Sequence, residues 1–231
     1  ENHFGFAALK TDGSVVTWGH EYYCPPPSSD IANKLTSNVK QIFSTEYAWA
    51  ALKEDGSLIT WGNQVYGGDS SLVASQLSEG VKSVYSMDKA FAAVKTDGSV
   101  VTWGDQIHGG DSSAVASKLS SGVKEIYSNT TAFAALKTDG SVVTWGNTEA
   151  GGNSNAVAFQ LTSGVTKIFS NPSAFAALKA DGSVVTWGKQ SSSIIRSTNN
   201  ELGWEYITVD GPGNSSDVAS DLTSNVKTIF P

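Results

Sequence analysis

The chain has 231 residues, of which 39% are hydrophobic, and this is enough apolar material for a globular core. Its net charge of −7 argues against nucleic acid as a partner, because nucleic-acid binding needs a positive surface that displaces counterions. No apolar run approaches the roughly 18 residues that a membrane span requires, so direct membrane insertion is not expected.

One sequence block, F-A-A-L-K-T-D-G-S-V-V-T-W-G at Phe133–Gly146, occurs five times with small changes. Its tryptophans lie 43, 42, 42 and 42 residues apart, at Trp18, Trp61, Trp103, Trp145 and Trp187. A period of about 40 residues is typical of propellers and solenoids, whose units cannot bury a core alone. Residues 1–231 are therefore predicted to form a single repeat domain.

The third repeat shows the expected strands most clearly. Strand A is predicted at Val81–Ser86, strand B at Ala90–Lys95 and strand C at Ser99–Trp103. Between strands B and C, Asp97-Gly98 indicates a hairpin, because such a turn needs positive φ and glycine adopts it without strain. The same dipeptide recurs at Asp12-Gly13, Asp55-Gly56, Asp139-Gly140 and Asp181-Gly182.

The segment after strand C is more ambiguous. Ser112 or Ser113 could cap a short helix there. The apolar residues Val115, Ala116 and Leu119 fit a helical stripe better than strict alternation, so a short helix is favoured over a fourth strand.

The two ends of the chain complement each other. Val226–Phe230 has the pattern of strand A, and Phe6–Leu9 has the pattern of strand B. Pairing these segments would remove two exposed strand edges. The sequence thus predicts an all-β fold: a five-bladed β-propeller of about 42-residue, mainly three-stranded blades, closed by its N- and C-terminal segments. Because the chain starts inside a repeat, it is expected to be a piece of a larger multidomain protein.

Two repeats depart from the common pattern. The first carries a run of three prolines, Pro25–Pro27, after its strand C. The last carries an insertion of 19 residues within about Lys189–Gly211, and this insertion includes Trp204 and Tyr206. We predict that the insertion contacts a partner and that these two aromatic residues are its anchors.

The block A-L-K-x-D-G-x-V-x-x-W-G, preceded by G-V-K-x-I, resembles the repeats of the regulator of chromosome condensation family. It is most similar to the short bacterial repeats of that family, which include the propeller-type β-lactamase inhibitor protein. The resemblance covers essentially the whole chain and implies a propeller that serves as a scaffold for protein contact. It also implies a bacterial protein that is secreted or exposed at the cell surface, as an adhesin is. No functional residue is carried over from it.

The sequence offers few groups for catalysis, so the chain is predicted not to be an enzyme and to need no cofactor or metal. Its histidines, His3, His20 and His108, do not recur at matching repeat positions and are interpreted as exposed loop residues. The lone Cys24 excludes an internal disulfide and a cysteine metal cluster. The Gly-Gly-Asp-Ser-Ser segment of Gly109–Ser113 could form a phosphate nest or calcium site. A structural turn is favoured, because one Asp per repeat is too few for calcium.

Sequence diversity falls on one face of the predicted propeller. The A–B loops and the segments after strand C differ between repeats and emerge on the same face, whereas the B–C turns on the opposite face barely vary. Binding usually resides in variable loops on a rigid scaffold, and aromatic residues with a polar group are frequent anchors. The candidate ligand-binding residues on this face are Tyr22, Tyr23, Tyr47, Tyr66, His108, Trp204 and Tyr206.

The sequence therefore predicts a binding module that recognises a protein, a peptide or a glycan through this variable-loop face. An alternative is a proteinaceous inhibitor that caps the active site of an enzyme. A less favoured alternative is a propeller enzyme such as a lyase. The tryptophans of strand C are interpreted as packing residues rather than as ligand-stacking residues.

Overall fold

The structure, a computed structural model, describes residues 2, 4–189, 194–197, 204–207 and 220–230, and residues 194–197 and 204–207 are described by their backbone alone. The chain divides into two compact units, Glu1–Val123 (unit 1) and Lys124–Pro231 (unit 2).

Unit 1 contains eight strands and two α-helices within the described residues. The strands are β1 (Gly5–Leu9), β2 (Val15–Gly19), β3 (Val39–Ser44), β4 (Ala48–Lys53), β5 (Leu58–Gly62), β6 (Val81–Ser86), β7 (Ala90–Lys95) and β8 (Val100–Gly104). The helices are α1 (Ser29–Lys34) and α2 (Ala74–Leu77), and shorter helical turns include Gln64–Gly68, Ser71–Val73, Gln106–Gly110 and Ser113–Leu119.

Unit 2 repeats the same order. Its strands are β9 (Val123–Ser128, starting on the last residue of unit 1), β10 (Ala132–Lys137), β11 (Val142–Gly146), β12 (Val165–Asn171), β13 (Ala174–Lys179), β14 (Val184–Gly188), β15 (Ile194–Ser197) and β16 (Trp204–Ile207). Helical turns lie at Thr148–Ala150 and Asn155–Leu161. The strands β15 and β16 form an antiparallel hairpin inside the predicted insertion.

The described strands form small antiparallel sheets rather than one large sheet. Four sheets have three strands, in the orders β3-β4-β5, β6-β7-β8, β9-β10-β11 and β12-β13-β14, and the first repeat has only β1 and β2. Strands A and B of the third repeat are as predicted, and strand C lies one residue later, at Val100–Gly104. An all-β fold of mainly three-stranded units is thereby confirmed.

The Asp-Gly hairpins form as the sequence predicts. In the third repeat, Gly98 has φ of +78°, and Asp97 Oδ1 accepts hydrogen bonds from Ser99 N at 2.9 Å and from Ser99 Oγ at 2.6 Å. These bonds from the serine hydroxyl and backbone lower the pKa of Asp97. The serine of the D-G-S sequence therefore fixes the turn together with the glycine.

The segment after strand C is helical, which confirms the favoured prediction, but its cap differs from the predicted one. Ser112 stands at the start of the helical turn Ser113–Leu119 without a capping hydrogen bond from its side chain. Its hydroxyl lies 3.0 Å from Thr102 Oγ1 of strand C. Instead, Asp111 Oδ1 accepts a hydrogen bond from Ser113 N at 2.8 Å. The serine hydroxyl thus ties the segment back onto its own sheet.

Neighbouring sheets of a unit join through small residues on one side and a Phe–Trp pair on the other. In unit 1, Ala48 and Ala50 of β4 face Phe91 and Trp103 of the next sheet in one core cluster. The rings of Phe91 and Trp103 are stacked with centroids 5.1 Å apart. This arrangement confirms the packing role of the tryptophans for Trp61, Trp103, Trp145 and Trp187, which are each 4% exposed.

The Gly-Gly segment completes this joint. Trp103 Nε1 donates a hydrogen bond to the carbonyl oxygen of Gly67 at 3.1 Å, and Trp187 does the same to Gly151. Gly67 has φ of +98°, and a Cβ added there would lie 2.6 Å from a ring atom of Phe91. The favoured interpretation of the Gly-Gly-Asp-Ser-Ser sequence as a structural turn is therefore confirmed. Its first glycine leaves room for the Phe–Trp pair of the following sheet.

The first repeat is the exception to this packing. Phe6 and Trp18 stack with centroids 5.4 Å apart but are 63% and 55% exposed, so the packing role predicted for all five tryptophans is wrong for Trp18 as the structure describes it. The physical reason is position, because the later pairs pack against small residues of the preceding sheet, and β1 and β2 form the first sheet of unit 1. Cys24 occupies the position that Gly67 has in the second repeat.

A second joint links each Asp-Gly turn to the next repeat. Val81 N donates to the carbonyl oxygen of Gly56 at 2.9 Å, and Val226 N donates to that of Gly182 at 3.0 Å. Residues 226–230 therefore start as strand A does, although no strand is assigned to them. In the described part of the chain, no helix combines the length and the apolar character needed to cross a membrane.

Candidate functional site

The variable loops of unit 1 lie together along one edge of its sheets. Each segment after strand C is hydrogen-bonded to the A–B loop of the same sheet, as in Asn63 N to Tyr47 O and Asp105 N to Lys89 O, both at 2.9 Å. Thr45, fully buried, adds a bond from its hydroxyl to Tyr66 O at 3.0 Å. We call this the loop edge of unit 1: residues 4, 20–27, 45–47, 63–68, 87–89 and 105–110.

Aromatic rings from four separate segments stack at the loop edge. Phe4 stacks on Tyr23 with centroids 4.5 Å apart and on Tyr47 with centroids 5.4 Å apart. Tyr47 also meets Tyr66 edge to face at 4.6 Å. Such pairs stabilise beyond their buried area by about 0.5–1.5 kcal/mol each. The rings therefore hold their loops in fixed relative positions.

The same stack extends outward to solvent. Tyr22 meets Tyr23 edge to face at 5.1 Å, and His20 lies 5.0 Å from Tyr23. Tyr22 is 79% exposed and Tyr23 is 40% exposed. At the other end, the ammonium of Lys89 lies 5.8 Å from the ring centroid of Tyr66. We call the six rings the aromatic cluster: Phe4, His20, Tyr22, Tyr23, Tyr47 and Tyr66.

Tyr47 is held neutral within the cluster. A hydrogen bond between its hydroxyl and Glu46 is the largest effect, and together with desolvation and the nearby negative charge it raises the pKa of Tyr47 to about 12. The phenol therefore remains an O–H donor to Glu46 throughout the physiological range.

His108 is part of the loop edge but belongs to a separate contact. Its Nδ1 lies 2.7 Å from Asp105 Oδ1, and the same oxygen accepts a bond from His108 N at 3.0 Å. Partial burial opposes ionisation of Asp105, but the bonds from His108 outweigh it and hold the pKa of Asp105 below its usual range. The interpretation of His108 as a simple exposed residue is therefore wrong, since it is half-buried and pairs with the residue that caps its own turn.

The structure thus brings together four of the seven predicted site residues: Tyr22, Tyr23, Tyr47 and Tyr66. Trp204 and Tyr206 lie in β16, but their side chains are outside the described residues, as is His3. Sequence reasoning missed Phe4, His20 as a ring of the cluster, and Lys89. Phe4 could have been found from the repeat alignment. It directly precedes strand B of the first repeat, which is the position that Tyr47 has in the second repeat.

Unit 1 also has a groove of about 250 Å³. It is lined mainly by aromatic residues and prolines: Phe6, Trp18, Trp49, Trp61, Pro25 and Pro26. Glu21 is its acidic residue. Glu21, Pro25 and Pro26 are also part of the loop edge, so the groove borders that edge.

The described residues offer no cluster of metal ligands. Within the described ranges, no three or more histidine, cysteine, aspartate or glutamate side chains gather as a metal site would require. The carboxylates of the Asp-Gly turns are instead bonded to the serine two residues later, as in Asp55 and Asp139.

Known proteins were compared with this chain. No protein-family model matches it, and no curated protein matches it by sequence. Solved structures do resemble it. Human WBSCR16 is 19% identical, with a TM-score of 0.52, over 82% of this chain and 60% of that one.

Two yeast structures resemble it to the same degree. Prp20p from Saccharomyces cerevisiae, described with its binding to Gsp1p and histones, is 15% identical with a TM-score of 0.51, over 81% of this chain and 56% of that one. A chain in the structure of Kap60 bound to yeast RCC1 (Prp20) is 14% identical with a TM-score of 0.53, over 92% of this chain and 62% of that one.

This chain therefore spans less than two thirds of each of these structures. At such low identity the likeness concerns the fold alone. Similarity to the bacterial inhibitor repeats is not among these findings. What the comparisons show is a propeller-like fold of the kind found in RCC1 and its structural neighbours.

Proposed function

We propose that this chain is a non-enzymatic protein-binding module whose loop edge in unit 1 contacts the partner. The observation that carries this proposal is the aromatic cluster, in which tyrosines from three loops pack into one partly exposed surface. Tyrosine is enriched among the residues that dominate binding energy at interfaces, because it combines a large apolar area with a polar group. Loops on a rigid scaffold are the usual place for such residues.

The structural neighbours support the same class of function. Two of them have protein partners: Gsp1p and histones for Prp20p, and Kap60 for yeast RCC1. Those partners belong to those proteins. Trp204 and Tyr206 of the insertion remain proposed as further anchors. An extracellular or cell-surface location is proposed on the sequence resemblance alone.

Partner capture with matched variants tests the proposal. The immobilised chain is exposed to an extract, and retained proteins are quantified by mass spectrometry for the wild type and for Tyr22→Ala/Tyr23→Ala. We expect specific partners to fall at least several-fold for the double variant, because it removes the exposed end of the cluster. A Trp204→Ala/Tyr206→Ala variant tests the insertion in the same way.

Leu72→Ala is the matched control, since Leu72 is 96% exposed but lies in a helical turn outside the loop edge. Thermal unfolding of each variant shows whether the fold is intact. Equal retention by the wild type and by a folded Tyr22→Ala/Tyr23→Ala variant contradicts a role for the cluster. Retention of glycans alone, on a glycan array, contradicts protein as the ligand class.

We also propose that the repeats close into a five-bladed ring in which Val226–Phe230 serves as strand A for β1 and β2. Three observations support this. The sheet of β1 and β2 has only two strands. Asn225 has φ of +63°, close to the +60° of Asn38 before β3, so residue 226 starts as a strand A does. Phe6 and Trp18 are exposed where the pairs of the third to fifth repeats are buried.

Trp18→Ala tests closure. In a closed ring, Trp18 is buried against the preceding repeat, and its truncation should lower the free energy of unfolding by about 3 kcal/mol or more. On an open face the loss should stay within about 0.5 kcal/mol, because exposed substitutions rarely cost more. Chemical denaturation measures the difference, and the molar mass from light scattering shows whether a second copy supplies the strand. A small loss, or a dimer, contradicts closure within one chain.

A further inference from the structure

Charged residues of unit 1 are distributed unevenly between its two edges. The lysines lie mostly at the edge of the Asp-Gly turns: Lys53 and Lys95 end strands B, and Lys40 and Lys82 are the second residues of strands A. The aspartates of the turns accompany them, so that edge carries both signs.

The loop edge is acidic by comparison. Its described charged residues are Glu21, Glu46, Asp88, Asp105 and Lys89. Glu46 N donates to the carbonyl oxygen of Asp88 at 2.8 Å, so two acidic residues of successive A–B loops lie side by side. The ammonium of Lys89 is over Tyr66, and Asp105 is paired with His108. Glu21, which is exposed, sits in sequence between His20 and Tyr22 at the outer end of the cluster.

Aromatic faces and carboxylates together favour one kind of ligand. A guanidinium stacks on a tyrosine ring and also pairs with a carboxylate, and it is less strongly hydrated than an ammonium, so it loses less on binding. The rings of Tyr22 and Tyr23 are exposed, and the exposed Glu21 directly precedes them in the chain, so this short stretch offers both an aromatic face and a carboxylate. A neutral ligand would gain only the stacking, and an anionic ligand would be repelled.

We propose that the loop edge of unit 1 docks a basic, arginine-containing segment of a partner protein, with an arginine side chain on Tyr22 and Tyr23 and its charge opposite Glu21. This inference rests on the proposed function, since it names the chemistry of the partner for the same surface. Lys89 over Tyr66 shows within the molecule that this cluster accommodates a cation on an aromatic face.

Binding of synthetic peptides to the full chain tests the proposal. Three Gly-Ser peptides of equal length are used, and they carry several arginines, several lysines or several glutamates. Binding is measured by fluorescence anisotropy at low and at physiological salt. We expect the arginine peptide to bind more tightly than the lysine peptide, and no measurable binding of the glutamate peptide. Affinity should fall with salt, because surface charges are screened. Tyr22→Ala should weaken the arginine peptide about three-fold, the loss of one exposed cation–π contact.

Glu21→Gln should also weaken binding about three-fold, and Glu54→Gln is its matched control. Glu54 lies in the turn after β4 at the opposite edge, and Glu54→Gln changes the net charge by the same amount as Glu21→Gln. Equal effects of the two variants would mean general attraction to an acidic protein and would overturn the proposal. So would equal binding of the arginine peptide to the wild type and to Tyr22→Ala, or no binding of it at all. If captured partners depend on the cluster while the arginine peptide fails, the proposed function stands and only the basic partner is rejected.

Discussion

Trp103→Ala is expected to lower the free energy of unfolding by about 3–5 kcal/mol, the usual cost of removing a large buried aromatic side chain. Trp103 is 4% exposed and stacks on Phe91 inside a core cluster that joins two sheets. Its truncation leaves a cavity at this joint and removes the hydrogen bond to the Gly67 carbonyl. Urea denaturation followed by circular dichroism measures the loss.

Two further variants separate the contributions to this loss. Trp103→Phe keeps a ring in the stack but removes the N–H donor, and we expect it to cost less than Trp103→Ala. Val65→Ala is the control for an exposed apolar residue, since Val65 is 60% exposed and should change stability by at most about 0.5 kcal/mol. A loss below about 1 kcal/mol for Trp103→Ala would show that the joint between these sheets is not formed as described.

Gly67→Asn is expected to lower the free energy of unfolding by about 2–3 kcal/mol, because a side chain there is forced against a packed ring. A Cβ at Gly67 would lie 2.6 and 2.9 Å from two ring atoms of Phe91. The positive φ of +98° alone does not explain such a loss, since asparagine tolerates that region better than other side chains. We therefore attribute the expected loss of stability to the steric contact with Phe91. The same denaturation assay measures the effect.

Gly80→Asn is the matched control. Gly80 also has positive φ, +72°, but a Cβ there would meet nothing closer than 3.4 Å. Asparagine already occupies this position in the repeat at Asn38, with φ of +60°. We expect a change within about 1 kcal/mol. Losses of the same size at Gly67 and Gly80 would mean that backbone conformation, and not the seating of Phe91, makes the Gly-Gly sequence necessary.

These joints matter for function because they hold the variable loops on a constant frame. Each loop after strand C begins at the end of a packed strand and is bonded to the A–B loop beside it, as Asn63 is to Tyr47. The packed joints therefore hold the rings of the aromatic cluster in place, although the residues of the joints do not contact the partner themselves. Weakening the frame at Trp103 or Gly67 should reduce binding indirectly, so stability must be measured with every binding variant.

Much of the frame could be predicted from the sequence because its signals are local. Alternating apolar residues located strands such as β6 and β7, and Asp97-Gly98 located the hairpin between β7 and β8. Comparison of the repeats also assigned variable and constant segments to opposite edges. Four of the predicted site residues, Tyr22, Tyr23, Tyr47 and Tyr66, were identified in this way.

Other features depended on contacts that the pattern of apolar and turn residues does not show. Ser112 reads as a helix cap, yet its hydroxyl lies against Thr102, because the segment folds back on its own sheet. His108 reads as an exposed loop residue, yet it pairs with Asp105. The contact of Ser112 depends on where the turn after strand C returns the chain. The contact of His108 is local, and it forms because the turn that begins at Asp105 brings the ring back to that carboxylate.

The sequence by itself determined the repeat, the strands, the Asp-Gly turns and the edge on which aromatic residues accumulate. Only the tertiary structure decided that Phe4, Tyr23, Tyr47 and Tyr66 touch one another and that Trp18 differs from its four counterparts. The physical reason is that strand and turn formation follow from neighbours in sequence, whereas burial and ring stacking depend on which sheet packs against which. A tryptophan in an identical sequence block is buried or exposed according to what covers it.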